Sequence, residues 1–253
     1  VSTPCATAAE AARALVDAVY DQGGVQANSC RGGHTSEYFR RRRILCPTNA
    51  PVNEINRMIA AECSPPAGTE VVVSTSANMV VGGTSHLQVV IPVETLESIE
   101  SGGFPPHILE MKVGQVFMLL RNYRPGHPNG AVYTLEGFLC GGRALRLQRV
   151  DCAGASGELI LPRIRVQSSP GRAVFTVQRT QFPIRHAYAA TVNKSQGSSL
   201  DRVGISGYDF FEHGMLYSAV GRSTTFGGLF CDARPPCKPY GYVKYKSYAE
   251  LLC

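Results

Sequence analysis

His186 to Ile205 reads HAYAATVNKSQGSSLDRVGI. The stretch opens on an apolar run rich in alanine and valine, His186 to Val192, which predicts a buried strand. Asn193-Lys194-Ser195-Gln196-Gly197 breaks that run with small and polar residues. Leu200 to Ile205 then resumes the apolar pattern behind the charged pair Asp201 and Arg202. Two short buried strands joined by a polar, glycine-containing turn are a common ligand-binding device, because the strand ends fix the loop and the loop aims its groups outward. Lys194 supplies a point charge, Asn193 and Ser195 supply hydrogen bonds, and Gly197 lets a backbone approach closely. Such a set suits a phosphate; it also fits a turn that only connects two strands.

A second stretch lies downstream. His213 to Arg222, HGMLYSAVGR, predicts a short helix with Arg222 at or just past its C-terminal end. Leu216, Ala219 and Val220 stand at i, i+3 and i+4 and share its buried face. NKSQG-x-x-LD-x-V followed by G-x-LY-x-A-x-x-R resembles the last two motifs of the PIF family of superfamily-1 DNA helicases. The family's members are ATP-dependent 5′→3′ enzymes with relatives in helitron transposons and large DNA viruses. Two motifs in this order are far more specific than either alone.

Upstream, Ile44-Leu45-Cys46 predicts a strand, followed by PTNAPVNEIN from Pro47 to Asn56. Asn49 is placed to cap a helix whose first turn holds Pro51, with Val52, Ile55 and Ile59 buried. Strand, capped turn and helix make half of a βαβ unit. PTN-x-x-V-x-x-IN resembles the opening of the family's second RecA-like domain, and PPH-x-L-x-x-KVG-x-x-x-MLLRN, from Pro105 to Asn122, resembles a further family stretch. At the N-terminus, Thr7 to Glu10 fits a capping box, and Ala12, Leu15, Val16 and Val19 make the apolar face of a helix that stops at Gly23-Gly24. Between the motifs, Val71 to Val73 predicts a strand, Ser74 to Gly83 a loop, Leu87 to Ile91 another strand and Val93 to Ile99 a short helix. Leu109 to Gly114 and Val116 to Asn122 read as strands around a turn.

From Tyr123 to Gln181 helical periodicity disappears. Short β-type runs alternate with glycine and proline turns, the pattern of a small barrel. The family carries an SH3-like barrel inserted at this point. Arginines are dense here, namely Arg143, Arg146, Arg149, Arg163, Arg165, Arg172 and Arg179, and Arg163 and Arg165 alternate onto one strand face. Contact with nucleic-acid phosphates and plain solubility both account for them. The same two readings stand for the Arg40–Arg43 run before the first strand.

Bulk properties set the outer limits. The 253 residues suffice for one large or two small cores, and 44% hydrophobic against 17% charged content excludes a disordered chain. The net charge is +6; five lysines (Lys112, Lys194, Lys238, Lys244, Lys246) leave 20 of the 25 basic residues as arginine, the better bidentate phosphate ligand. No apolar run approaches the length of a membrane span. Nine cysteines form no CxxC, and the looser pairs Cys231/Cys237 and Cys30/His34 are spaced poorly for zinc, so free thiols in a reducing compartment are expected and no metal site is assigned. The tyrosines and lysines after Pro239 read as surface packing.

The resemblance implies an α/β fold: a second RecA-like domain, with a parallel sheet and flanking helices, over 41–122 plus 182–253. It is preceded by a helix and loop over 1–40 and interrupted by an SH3-like β-barrel over 123–181. It implies that Arg222 is a catalytic arginine finger and that Gln196, Gly197 and Tyr217 lie by the nucleotide. Thr48, Asn49, Thr191, Asn193, Lys194 and Ser195 would line single-stranded or fork DNA, joined by Arg163 and Arg165. No GxxxxGK[ST] and no acidic pair after an apolar strand occur in the chain. ATP and Mg2+ are therefore expected mainly on an N-terminal RecA-like domain of a longer parent protein, at an intracellular site, with no membrane partner. Where the family reads G-Q-L-Y-V-A-L-S-R, this chain has Met215, Ser218, Val220 and Gly221, which removes two polar groups near the nucleotide. The alternative is a single-stranded nucleic-acid-binding module without ATPase activity.

Overall fold

The computed structural model describes residues 8–20, 36–63, 70–81, 91–99, 103–151, 157–169, 175–207, 210 and 214–231. The readings on Thr7, Gly23-Gly24, Cys30, His34, residues 87–90, Arg172, His213, Cys237 and the C-terminal tail lie outside these residues. In chain order the first elements are α1 (Ala8–Tyr20), α2 (Ser36–Arg40), β1 (Arg42–Cys46), α3 (Asn49–Glu62), β2 (Val71–Thr75), β3 (Ala77–Val81) and α4 (Val93–Glu97). Then come β4 (Ile108–Lys112), β5 (Val116–Leu119), β6 (Val132–Leu139), β7 (Ala144–Arg149), β8 (Glu158–Pro162), β9 (Ile164–Ser168) and β10 (Thr176–Gln181). The last are β11 (Ile184–His186), β12 (Ala189–Thr191), β13 (Arg202–Ile205), α5 (Met215–Val220) and β14 (Leu229–Cys231).

These elements form two compact units. The first gathers α1, Glu37–Glu62 and the described residues from Ala187 onward; the second takes the described residues of Cys63–His186. Residues 63–122 thus group with the second unit, whereas the sequence reading joins 41–122 to 182–253.

In the first unit the strands run β12-β1-β13-β14, every pair parallel. A parallel sheet is covered on both faces, so its strands read as unbroken apolar runs, and Ile44-Leu45-Cys46 is wholly buried. On one face lie α1 and α3, tied by the Arg13–Glu62 ion pair. Gly204 lets α1 come close: a Cβ there would lie 2.8 Å from Val19 and 3.2 Å from Leu15. On the other face α5 sets Met215 and Ala219 against Leu45, Val203 and Ile205. The edge strand β12 gets a side-chain partner instead of another strand. The buried Asn56 accepts the Ala189 N–H through Oδ1 (2.8 Å) and donates through Nδ2 to the Ala189 carbonyl (3.2 Å). Asn56 thereby satisfies a buried backbone edge that costs free energy if left open.

The second unit is antiparallel: a five-stranded sheet β11-β5-β6-β7-β8, a three-stranded sheet β3-β10-β9 and a ribbon β2-β4. Leu109 and Met111 of β4 join Phe117, Tyr133, Leu135, Leu145, Leu147, Leu159 and Leu161 in one core. Leu96 of α4, Phe104, Val166 and Val177 form another.

Two readings are corrected. The apolar run His186–Val192 is not one strand: His186 ends β11 in the antiparallel sheet, Ala189–Thr191 is β12 in the parallel one, and Val192 begins a 3-10 turn. Both halves are buried, so composition does not separate them. Ser74–Gly83 is not a loop, because β3 pairs with β10 through Ala77–Val81. At its start Ser76 and Asn78 bond inward to His107 and Arg179. The two strands read around a turn are present as β4 and β5, with Gly114, at φ 89°, turning the chain from one sheet to another.

Candidate nucleotide and nucleic-acid site

The sequence-predicted residues of the first unit fall at the two ends of its parallel sheet. Thr48 and Asn49 follow β1 directly and are exposed. Thr191 ends β12 in register with Cys46, the last residue of β1. These groups therefore share the carboxyl edge of adjacent strands, where open α/β sheets bind ligands. The 3-10 turn Val192–Ser195 begins at that edge, with Asn193 exposed and Lys194 half-buried. Ser195 departs from the reading: it is buried, and its hydroxyl donates to the Val192 carbonyl at 2.7 Å. It stabilises the turn and presents no surface to a strand. The connection is thus a compact helical turn rather than an open loop.

From the turn the chain passes through exposed Gln196 and Gly197, the latter at φ 82°, to Leu200. Leu200 donates its N–H to the Arg222 carbonyl at 2.9 Å and bridges Ser223 in parallel register. Arg222 therefore sits at the amino end of β13. The four residues of β13 place that end about 10–13 Å from the carboxyl edge at a strand rise of about 3.3 Å. Arg222 is half-buried, its Nε donates to the Ser218 carbonyl at 3.1 Å, and no described residue pairs with its two terminal nitrogens. Tyr217 lies 70% exposed on α5, and Phe226, which the sequence reading passed over, is 76% exposed on the turn before β14.

The arginine run before β1 is resolved residue by residue. Arg41 pairs with Asp201 at 3.0 Å and Arg42 stacks on the Tyr38 ring at 3.9 Å. Arg43 is buried, and desolvation pulls its guanidinium below its usual value. Arg41–Arg43 are built into the amino end of β1, opposite the Thr48 edge, while Arg40 is exposed on α2.

In the second unit Arg165 lies on β9 and Arg163 between β8 and β9; both are exposed, with Ile164 and Val166 turned inward. Arg179 is the reverse case, fully buried. It donates to Asn78 Oδ1 (2.7 Å) and to the carbonyls of Leu96 (2.6 Å), Pro105 (2.8 Å), Glu97 (3.2 Å) and Ile99 (3.3 Å), over the Phe104 ring. It clamps the carboxyl end of α4, where a cation suits the helix carbonyls, and has no part in phosphate binding. A shallow concavity of about 550 Å³ is lined by Asn122–Pro128 and by Arg149 of the arginine-dense stretch.

Among the described residues no group of His, Cys, Asp and Glu side chains is arranged to hold a metal. No helix among them is long and apolar enough to cross a membrane.

An all-parallel sheet with helices on both faces and an arginine-ended helix behind a polar turn defines the first unit as an α/β domain built on a parallel sheet. No model of a known family matches the chain. The human ATP-dependent DNA helicase PIF1 is 35% identical over 124 residues, which is 48% of this chain and 19% of the human protein. The crystal structure of Pif1 helicase from Candida albicans superposes with a TM-score of 0.55 at 16% identity, covering 95% of this chain and 57% of that one. Bacteroides Pif1 bound to single-stranded DNA gives a TM-score of 0.51 at 18% identity over 83% of this chain and 46% of that one. The chain is homologous to the PIF family of DNA helicases and shares their mixed α/β fold, spanning about half of each crystal chain and matching about a fifth of the human relative.

Proposed function

We propose that the chain supplies the second RecA-like domain of an ATP-dependent DNA helicase, with an SH3-like insert over 123–181. It contributes an arginine finger and part of the track for single-stranded or fork DNA. The observation that carries the reading is Arg222. Its Nε is engaged by the helix carbonyl of Ser218, which fixes the side chain, while the terminal nitrogens stay unpaired by any described residue. A guanidinium so held stabilises charge developing on a γ-phosphoryl group at no reorganisation cost.

In this reading Gln196, Gly197 and Tyr217 flank the nucleotide near Arg222. Thr48, Asn49, Thr191, Asn193 and Lys194 take the strand at the opposite edge, and the turn between the two edges links nucleotide state to grip on DNA. In this reading Mg2+ and the phosphates belong to an N-terminal RecA-like domain of the same parent protein, because the chain carries neither GxxxxGK[ST] nor an acidic pair after an apolar strand. The same reading gives the protein an intracellular place of action.

The test is Arg222→Ala in the complete helicase. DNA-stimulated ATP hydrolysis should fall by roughly 10³-fold or more, while affinity for a labelled oligonucleotide stays at the wild-type level. Turnover close to wild type would reduce Arg222 to a structural residue. The 253-residue chain by itself should release no phosphate from ATP above background.

A further inference from the structure

Asp201 follows the NKSQG turn and has none of the roles given to its neighbours, yet its main chain and side chain join three separate segments. Its N–H donates to the Arg41 carbonyl at 2.8 Å, and Oδ2 accepts from the Arg41 guanidinium at 3.0 Å. Oδ1 accepts the hydroxyl of Thr224 at 3.0 Å. The Thr224 N–H in turn donates to the Leu200 carbonyl at 2.9 Å, and the Leu200 N–H donates to the Arg222 carbonyl at 2.9 Å. The carbonyl of Asp201 is so tightly covered by Gly228 that a Cβ at 228 would lie 1.8 Å away.

The segment after α5 therefore docks on Leu200–Asp201 as a one-residue strand extension, held by two main-chain bonds and one side-chain bond. We propose that Asp201 and Thr224 are a latch that positions Arg222. Asp201 and Thr224 are positioning residues: neither touches the nucleotide, and both act through the finger. The inference rests on the reading of Arg222 as that finger.

Two points separate the latch from ordinary fold stability. The side chains of Arg41 and Asp201 are 48% and 45% exposed, and pairs so exposed contribute little to folding. The latch also joins the segment that begins at the strand-binding edge to the segment that carries the finger. It is thus one route by which displacement of the Val192–Ser195 turn reaches Arg222, beside the direct packing of Val192 against Met215 and Ala219 of α5.

In the complete helicase Thr224→Val removes the hydroxyl at nearly constant volume. Misplacing a catalytic group by about 1 Å costs up to about 10²-fold, so kcat for ATP should fall about 10-fold with KM changed less than about 2-fold. Thr224→Ser keeps the hydroxyl and should restore turnover. In an Arg222→Ala background Thr224→Val should cost nothing further, because the latch works only through the finger. Melting temperatures within about 2 °C of wild type exclude unfolding as the cause.

Wild-type kcat in Thr224→Val overturns the latch. So does the same fractional loss in the Arg222→Ala background, or failure of Thr224→Ser to rescue. Loss of turnover in Arg222→Ala with normal Thr224→Val removes the latch and keeps the finger. Normal turnover in Arg222→Ala itself removes the underlying reading first.

Discussion

Arg222 and Arg179 show how differently the two units use the same side chain. In the parallel unit the finger candidate stands at a strand end, anchored through one nitrogen, with the other two unpaired by any described residue. In the antiparallel unit Arg179 is buried and spends its guanidinium on five acceptors, all internal. A parallel sheet covered on both faces has only its ends to offer a ligand, so its polar residues gather there. Small antiparallel sheets around short helices must satisfy loop and helix-end carbonyls inside the unit. A long cation with several donors suits that task. Arginine density in the second unit is therefore a poor measure of its nucleic-acid surface.

The largest effect that would break this contrast is on folding. Arg179→Met leaves buried carbonyls of Leu96, Glu97 and Pro105 without their donor, and such losses cost about 3–5 kcal/mol. Arg165→Met, on the exposed face of β9, should stay within about 0.5 kcal/mol of wild type. Urea denaturation of both variants measures the difference; equal midpoints would mean that Arg179 is no more a structural clamp than its exposed neighbour.

A smaller effect is expected from Asn56, buried in the parallel unit. Asn56→Leu keeps the volume but strips both partners from Ala189 on the edge strand, a loss of about 1–3 kcal/mol. Amide exchange at Ala189 should rise alongside it. Protection as in wild type would show that the strand edge is closed by something other than Asn56.

The motifs made the parallel unit legible because they consist of residues whose chemistry is local. The cap and apolar face of α3 are visible in NAPVNEI, the short helix in MLYSAV, and Arg222 at its end. Asn56 stands in the quoted motif, yet the helical pattern gives no sign that it pairs with a strand more than a hundred residues later. Asp201 and Thr224 escaped for the same reason, since their bond joins segments that only the fold brings together. In the second unit, individual strands were readable from alternation at β6, β7 and β8. Ala77–Val81 was not, because the small residues Ser74–Ser76 and Gly82-Gly83 on either side disguise an apolar run that pairs with β10. The interior place of Arg179 was hidden too, as nothing in its own β-type run distinguishes it from Arg165.

Titration sharpens the contrast at the point where the chain leaves the antiparallel sheet. His186 stacks near Phe117, at 4.8 Å between ring centres, and faces Gln115, Glu110 and Lys112. Burial, against partial compensation by Glu110, holds its imidazole down to about 4. The folded value lies below the unfolded one of about 6.5, so the unfolded chain binds the proton first. Stability from this group is full above about pH 6.5, declines as pH falls toward 4 and then levels off. The residue keeps some exposed surface, so the loss is about 1–2 kcal/mol rather than the roughly 3 kcal/mol of a wholly enclosed ring. His186→Gln should flatten that part of the pH–stability profile, and an unchanged slope between pH 7 and 4.5 would assign it to other groups.

The smallest effect concerns binding and tests whether either unit's exposed cations meet a strand. Arg163 and Arg165 are exposed, and Lys194 lies on the turn at the carboxyl edge of the parallel sheet. Neutralising a phosphate releases a counterion, so affinity for single strands falls with salt at a log–log slope of about −0.7 per contact. Replacing Lys194 by alanine should reduce the magnitude of that slope by less than about one unit and weaken all sequences alike. Replacing Arg163 and Arg165 together should remove about 1.4 units if both touch phosphates, and about 0.7 if one does. Arg179 is excluded from the comparison, since its guanidinium never reaches solvent. Fluorescent oligonucleotide titrations at several salt concentrations separate the cases. An unchanged slope in the double variant would leave Arg163 and Arg165 as solubilising surface and confine the strand track to the parallel unit. An unchanged slope in Lys194→Ala alone would shift the track toward the antiparallel unit and away from the turn that leads to Arg222.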